Sequence, residues 1–311
     1  MTLALLDADI IAFRAAVTAQ DSIDWGDGEG ASVVADLSTA LDNARQLIRE
    51  WTSAAGCRTP VLCFSSRIGL NFRKALLPTY KSGRSEKPQV YWDLIDALEQ
   101  EYRFYRIEGL EADDVLGILA TSDRFSGSVV VSLDKDLQTV PCRLLNPNKD
   151  QRPRPIRMAQ ADLFWMTQTL TGDQTDGYPG CPKIGPVNAD KILGAAGLSL
   201  NSMWSAVVEA YEARGLTEDD ALLQARMARI LRRSDYDKER NEIALWHPTT
   251  PTILSLDRLI TSATGQSSLS TSSSPTACAS DKGTSSNTSP GSSTKGRRSK
   301  TSRRPAGTST A

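Results

Sequence analysis

A mostly parallel central β-sheet flanked by helices, continued by a helical half and a polar tail, is the architecture this sequence predicts. Three features point to it. Short apolar runs at residues 3–6, 60–64 and 128–133 have the length and continuity of strands buried on both faces. Stretches with helical spacing of apolar residues separate them, as strand–helix–strand crossovers require. From residue 159 onward the pattern turns helical, and from residue 261 it loses almost all apolar residues. The expected division is an α/β core over 1–165, a helical region over 166–255, and a disordered Ser/Thr-rich basic region over 256–311.

Taken in order, the run at 3–6 ends in Asp7-Ala8-Asp9. An acid just past the carboxyl end of a parallel strand lies where α/β folds place ligands. Asp7 can equally cap the helix expected over 10–17. Residues 20–31 are polar and Gly-rich and read as a loop or small hairpin. Helical periodicity follows over 37–54. The run at 60–64 is a second buried strand, ending at Ser65 and Ser66. An amphipathic helix is expected over 90–102, with Trp92, Leu94, Ile95 and Leu98. Glu111, Asp113 and Asp114 open a helix over 115–120. The strand at 128–133 ends in Asp134-Lys135-Asp136, repeating the opening pattern of acids at a strand's carboxyl end. Residues 144–146 suggest a further strand, 152–157 a basic, Pro-rich connection, and 159–170 a helix.

The stretch over 171–193, TGDQTDGYPGCPKIGPVNADKIL, reads as a short helix, a glycine-rich turn and a second helix. Pro186 suits a first helical turn, where its missing N–H costs nothing. Gly185 lets backbone approach a flat or charged partner, and free N–H groups at a helix start suit a phosphate. Helices over 203–211 and 219–231 continue an all-helical half, with the body ending near 246–259. The low-complexity stretch from 261 has seven basic residues against one acid, a surplus of six. It cannot bury enough surface to offset its ordering entropy. The first 260 residues keep 29 basic and 36 acidic groups. An acidic body fits a nucleic-acid partner only if its acids gather cations.

One stretch of that body is strongly basic. Residues 71–88 interleave Arg73, Lys74, Lys81, Arg84 and Lys87 with Phe72 and Tyr80. Bases neutralise phosphates, and aromatic faces stack on unpaired nucleobases. The acids fall into groups: Asp7; Glu111, Asp113 and Asp114; Asp134 and Asp136; Asp173 and Asp176. Three within four residues at 111–114 exceed what helix capping needs, and such crowding is relieved by a bound cation. Oxygen ligands without His or Cys favour Mg²⁺ or Mn²⁺, and two such ions can support phosphodiester hydrolysis.

Other chemistries find little support. The single histidine, His247, and five cysteines without a CxxC pair argue against a zinc site and for reduced thiols. Residues 180–185 have the glycine spacing of a phosphate loop, but Pro186 stands where its Lys belongs. No nucleophilic triad is legible. Neither a membrane-length apolar run nor a signal-peptide pattern is present in the sequence. The residues thus describe a metal-dependent nuclease that grips DNA mainly through its backbone.

The motifs LLDAD, FRKALLPTYKSGR, EADD, SLDKDL and TGDQTDGYPGCPKIGPVNADKIL run in this order over about residues 3–195. The ordered set resembles the 5′-nuclease family: phage 5′–3′ exonucleases, flap endonucleases and the 5′-nuclease domain of bacterial DNA polymerase I. The resemblance implies a PIN-like α/β fold. It places Asp7, Glu111, Asp113, Asp114 and Asp134 at a first metal and Asp136, Asp173 and Asp176 at a second, with Arg73, Lys74 and Asp134 as catalytic residues. It assigns 71–100 to an arch over the 5′ single strand, with Phe72, Arg73, Lys74, Tyr80, Lys81 and Arg84 contacting DNA. It implies that Lys183, Ile184, Gly185 and Lys191 belong to a helix-turn-helix gripping duplex, with a K⁺ ion on backbone oxygens. One departure is clear: where the family usually has an acid after the strand before the arch, this chain has Ser65 and Ser66.

The expected activity is divalent-metal-dependent 5′–3′ exonuclease and 5′-flap endonuclease cleavage of DNA, or of RNA in hybrids. Two rivals are a related RNA-cutting nuclease, which the glycine-turn helix pair argues against, and a catalytically impaired structure-specific DNA-binding protein. The expected partner is DNA with a 5′ single-stranded end or flap. A monomer in the cytoplasm, that of a bacterial host if phage-encoded, completes the expectation.

Overall fold

The structure is a computed structural model that describes residues 2–24 and 31–264. These fall within one compact unit. The chain opens with β1 (Leu3–Asp7) and α1 (Ala8–Thr18), then a hairpin of β2 (Gln20–Asp24) and β3 (Ala31–Ala35) whose turn lies outside the described residues. Next come α2 (Leu37–Ala54), β4 (Thr59–Phe64), α3 (Phe72–Leu76), α4 (Tyr91–Glu101), β5 (Phe104–Arg106), α5 (Ala112–Ala120), β6 (Val129–Val131), β7 (Arg143–Leu145) and β8 (Arg154–Pro155).

These strands form a six-stranded sheet in the order β5-β4-β1-β6-β7-β8. Every neighbouring pair is parallel except β7 and β8. Strand β1 lies centrally between β4 and β6, which explains its uninterrupted apolar run. Alternation along it splits two cores. Ala4 and Leu6 pack with α1, α2 and α4, while Leu5 packs with α5 on the opposite face. Leu5 and Leu6 are fully buried, each contributing about 1.5–3 kcal/mol relative to exposure. The carboxyl ends of β1, β4 and β6 open on the same sheet edge, where the acids and Ser65 stand.

The later half begins with α6 (Met158–Thr171), α7 (Pro186–Ala196), α8 (Leu200–Glu212) and α9 (Glu218–Ala228). The expected boundary between 165 and 166 falls inside α6. Trp165 is wholly buried there and donates from Nε1 to Ala225 O at 2.8 Å. Trp246 packs edge-on against Trp165 and Trp204 at 4.8 and 4.9 Å.

Four expectations are corrected. The all-helical half ends in a three-stranded antiparallel sheet of β9 (Tyr236–Asp237), β10 (Glu242–Leu245) and β11 (Thr252–Ser255). The helix expected over 219–231 stops at Ala228, because Arg229 is extended and Leu231 donates its N–H to Asp114 instead. Residues 256–264, expected as the start of the disordered region, form α10 (Leu256–Thr264), anchored by the fully buried Leu256; the remainder of that region lies outside the described residues. No separate short helix precedes the glycine turn. Instead α6 runs to Thr171, and Asp173 and Tyr178 pair backbone to backbone at 2.8 and 3.1 Å. Gly172 and Gly180 make this loop possible, both at positive φ (+66° and +68°). A Cβ on Gly172 would lie 2.4 Å from Gly180 N, and one on Gly180 2.2 Å from Gly172 N.

Candidate active site

A cleft of about 530 Å³ opens at the carboxyl edge of the sheet, with Asp7, Asp9, Ser65, Lys81, Arg84, Lys87, Glu111, Asp113 and Asp134 among its lining residues. Asp7 closes β1 and caps α1, its Oδ1 accepting from Ile10 N at 3.3 Å, so capping and cleft roles coexist in one residue. Ser132 Oγ donates to Asp7 Oδ2 at 2.6 Å and accepts from Asp134 N at 3.0 Å, tying the ends of β1 and β6 together. Asp134 Oδ1 in turn accepts from Asp136 N at 2.8 Å. Gln168 Nε2, on α6, donates to Asp136 Oδ1 at 2.6 Å. Asp173 Oδ1 accepts from Thr175 N and Asp176 N at 2.9 and 3.3 Å, fixing the turn that carries both acids.

Electrostatics separate these carboxylates into two kinds. Burial, with Asp9 and Asp134 close by, pushes Asp7 up to about 7. Burial and the charges of Asp134 and Asp7 push Asp113 well above the usual carboxylate range. Burial and Asp134 raise Asp136 to about 7. Glu111 behaves oppositely: against the effect of its burial, Lys81 and Arg73 hold it down at about 2. Asp173 is also lowered, burial notwithstanding, because Lys135 Nζ donates to its Oδ2 at 2.8 Å. Among the described residues no three such side chains converge into a ready-made cation cage. Lysine ammonium groups stand among the acids instead.

The donor set nonetheless fits a divalent cation. It is all oxygen, and Asp113 has neither a hydrogen bond nor an ion pair among the described residues. Burial and mutual crowding raise Asp7, Asp113 and Asp136, and a bound cation would relieve both. Asp114 does not belong to the set, contrary to expectation. It is fully buried, and both its oxygens are engaged by Arg73, at 2.7 and 2.8 Å. It also accepts from Leu231 N at 3.1 Å and closes the capping box of α5 through Glu111 N at 3.4 Å.

The basic-aromatic stretch is corrected in the same way. Asn71 caps the five-residue α3, and the chain leaves the helix at Leu77, before Pro78. Arg73 points inward, 3 % exposed, donating to Asp114, Glu111 and the carbonyls of Met227 and Arg229. So committed, the guanidinium faces the interior and is not among the residues that line the cleft. Lys74, its neighbour, is exposed and donates to Gly69 O at 3.0 Å rather than lining the cleft. Phe72 is fully buried and Tyr80 3 % exposed, so neither ring offers a face to a base. Tyr80 instead donates to Glu111 Oε2 at 2.9 Å. The base that does reach the acids is Lys81, with Nζ 2.6 Å from Glu111 Oε1 and 3.6 Å from Asp176 Oδ2. Arg84 joins it, 3.0 Å from Asp176 Oδ1. The segment crossing the cleft is shorter than 71–100, because Tyr91, Leu94, Ile95 and Leu98 bury α4 against α1 and α2.

At the second helical element, Lys183, Gly185 and Lys191 are exposed around the start of α7, and a Cβ on Gly185 would meet open space. Ile184 is 5 % exposed and packs in the helical core, so its side chain is structural. Sequence reasoning missed Ser132 and Gln168 at the site, and it named Lys87 and Asp9 without assigning either a place in it. Ser132 and Gln168 act only through long-range hydrogen bonds and leave no local signal. Lys87 lies on the cleft because the chain turns back before α4. Asp9 was visible as the second acid after β1.

Comparison with known proteins gives the family and the fold. The family model described as "5′-3′ exonuclease, N-terminal resolvase-like domain" matches residues 2–158. The exodeoxyribonuclease of Enterobacteria phage T3 is 28 % identical over 285 residues, covering 78 % of this chain and 92 % of the relative. The exonuclease of Escherichia phage T7 is 28 % identical over 285 residues, covering 78 % and 93 %. The T5 D15 protein, co-crystallised with metal ions, shares the fold with a TM-score of 0.54 at 15 % identity, over 73 % of this chain and 89 % of that one. This chain therefore belongs to the 5′–3′ exonuclease family.

Proposed function

We propose that this chain hydrolyses DNA phosphodiester bonds from a free 5′ end or 5′ flap, without reading sequence, using two divalent cations, Mg²⁺ or Mn²⁺. The observation that carries this reading is the meeting of Asp7, Glu111, Asp113 and Asp134 with Lys81 in one cleft at the sheet edge. Asp7, Asp113, Asp134 and Glu111 would hold one cation, and Asp136, Asp173 and Asp176 the second. The cations, when bound, supply a hydroxide nucleophile near neutral pH and neutralise the developing charge on the leaving oxygen.

The chain's own residues do the rest. Lys81 and Arg84 bring positive charge to the cleft for a phosphate, and Tyr80 holds Glu111 in place from its buried side. Lys183, the backbone around Gly185 and Lys191 suit contacts with a duplex backbone behind the cleft. Backbone oxygens of the turn before α7 would hold a K⁺ ion. A single copy carries every element named, which supports a monomer as the working unit. No helix among the described residues is long and apolar enough to cross a membrane.

The test is substrate geometry. Equal duplexes bearing a 5′ flap, a 3′ flap or a 5′ end blocked by a bound protein are offered in Mg²⁺. Cutting of the 5′ flap and of the free 5′ end, with the 3′ flap left intact, is expected. Equal cutting of both flaps contradicts the polarity.

A further inference from the structure

We propose that Asp9 is a working carboxylate of the divalent-cation centre and not merely an acid in the first turn of α1. The proposal rests on the metal-dependent reading of the cleft given above. Asp9 lines the same cleft as Asp7, Asp113 and Asp134. Its carboxylate is tied to the neighbouring strand end. Oδ1 accepts from Ser65 N, at the carboxyl end of β4, at 3.3 Å. Two elements, α1 and the end of β4, therefore combine to orient one side chain.

An acid in a first helical turn interacts favourably with the helix dipole, and that alone could place Asp9. The charge balance of the cleft asks for more. Its lining residues include five carboxylates, Asp7, Asp9, Glu111, Asp113 and Asp134, against three bases, Lys81, Arg84 and Lys87. The surplus is two negative charges among these residues, and Asp176, with which Lys81 and Arg84 pair, adds a third. Two of the bases are already committed, Lys81 to Glu111 and Asp176 and Arg84 to Asp176. Lys87 lies over the Tyr91 ring, 4.5 Å from its centroid. Asp9 forms no ion pair among the described residues, so its charge is available to the cleft.

Ser65 completes the picture. It lines the cleft at the end of β4 but contributes no charge, its Oγ accepting from Ala112 N at 2.9 Å. Asp9 sits on that residue's N–H, so the carboxylate beside the β4 end arrives from α1. Acting directly or through a cation-bound water, it would add to the grip of Asp7, Asp113 and Asp134.

The experiment is Mn²⁺ titration of the full chain by calorimetry, for wild type, Asp9→Asn, Asp9→Asn with Ser65→Asp, and Asp134→Asn. Asn keeps an oxygen for the Ser65 N–H, so the melting temperature in EDTA serves as the fold control. The expected result is at least about a tenfold weaker Mn²⁺ affinity in Asp9→Asn, with recovery when Ser65→Asp returns a carboxylate beside the lost one. If Asp9→Asn does not fold, Asp9→Glu and Asp9→Gln give the same comparison, the former binding Mn²⁺ and the latter binding it weakly. Wild-type affinity in Asp9→Asn with loss in Asp134→Asn overturns the role of Asp9 and leaves the metal centre standing. Unchanged affinity in both overturns the metal centre itself.

Discussion

Lys81 Nζ lies 2.6 Å from Glu111 Oε1, joining the segment that crosses the cleft to the start of α5. The pair is 9 % and 14 % exposed, and although burial opposes it, Glu111 and Asp176 carry the Lys81 ammonium above its ordinary pKa. Lys81 therefore remains charged at neutral pH and is the base best placed to meet a phosphate in the cleft. Replacement Lys81→Ala should lower single-turnover cleavage by about 100-fold or more, in line with the loss of one preorganised charge donor. Lys74→Ala should leave the rate unchanged, because Lys74 faces Gly69 and solvent. Equal losses in the two variants would contradict this placement.

Among the described residues, Arg73 and Asp114 form the most deeply buried ion pair, with exposures of 3 % and 0 %. The guanidinium also satisfies carbonyls at the end of α9, so one side chain ties α3, α5 and α9 together. Arg73→Met leaves Asp114 buried without its partner and should cost about 3–5 kcal/mol of stability. Asp114→Asn in the same chain should recover part of that loss, since it removes the stranded charge. Denaturant melts measure both. Equal stability of Arg73→Met and wild type would show that the pair contributes nothing net.

A pH dependence follows from the crowded acids. Asp7 and Asp136 have folded-state values raised from 3.8 to about 7. The fold therefore holds protons that the unfolded chain has released, and stability falls as pH rises toward 7. Glu111, lowered to about 2, contributes fully throughout that window and adds no slope. In EDTA the melting temperature should drop between about pH 5 and pH 7. With saturating Mg²⁺ the drop should vanish, because the cation replaces the protons. A flat profile in EDTA would contradict the electrostatics assigned to these two acids.

These residues also show what sequence can and cannot carry. Strands β1, β4 and β6 were legible because burial on both faces demands apolar runs, and α2 and α4 because one buried stripe sets a period. The acids at the strand ends were legible because their position follows from parallel-sheet topology. Which of two adjacent bases turns inward was not. Arg73 and Lys74 are neighbours on a five-residue helix, and the partners that decide between them lie 41 and 154 residues away in sequence, at Asp114 and Met227. The end of α9 was misread for a similar reason: Leu231 N–H is taken by Asp114, 117 residues earlier. Strands β9 to β11, two to four residues long, are too short for alternation to register.

The most direct measurement is cleavage of a 5′-labelled flap duplex by wild type and by Asp134→Ala, in Mg²⁺ and in EDTA, with DNA binding followed in parallel. Asp134 joins β6 to the cleft and forms no ion pair among the described residues, so its loss should remove the cation and leave DNA affinity intact. Short labelled products from wild type in Mg²⁺ alone, with none from Asp134→Ala although it binds the duplex, is the predicted result. Undiminished cutting by Asp134→Ala, or tight binding without any cutting by wild type in Mg²⁺ or Mn²⁺, would contradict a metal-dependent nuclease centred on these carboxylates.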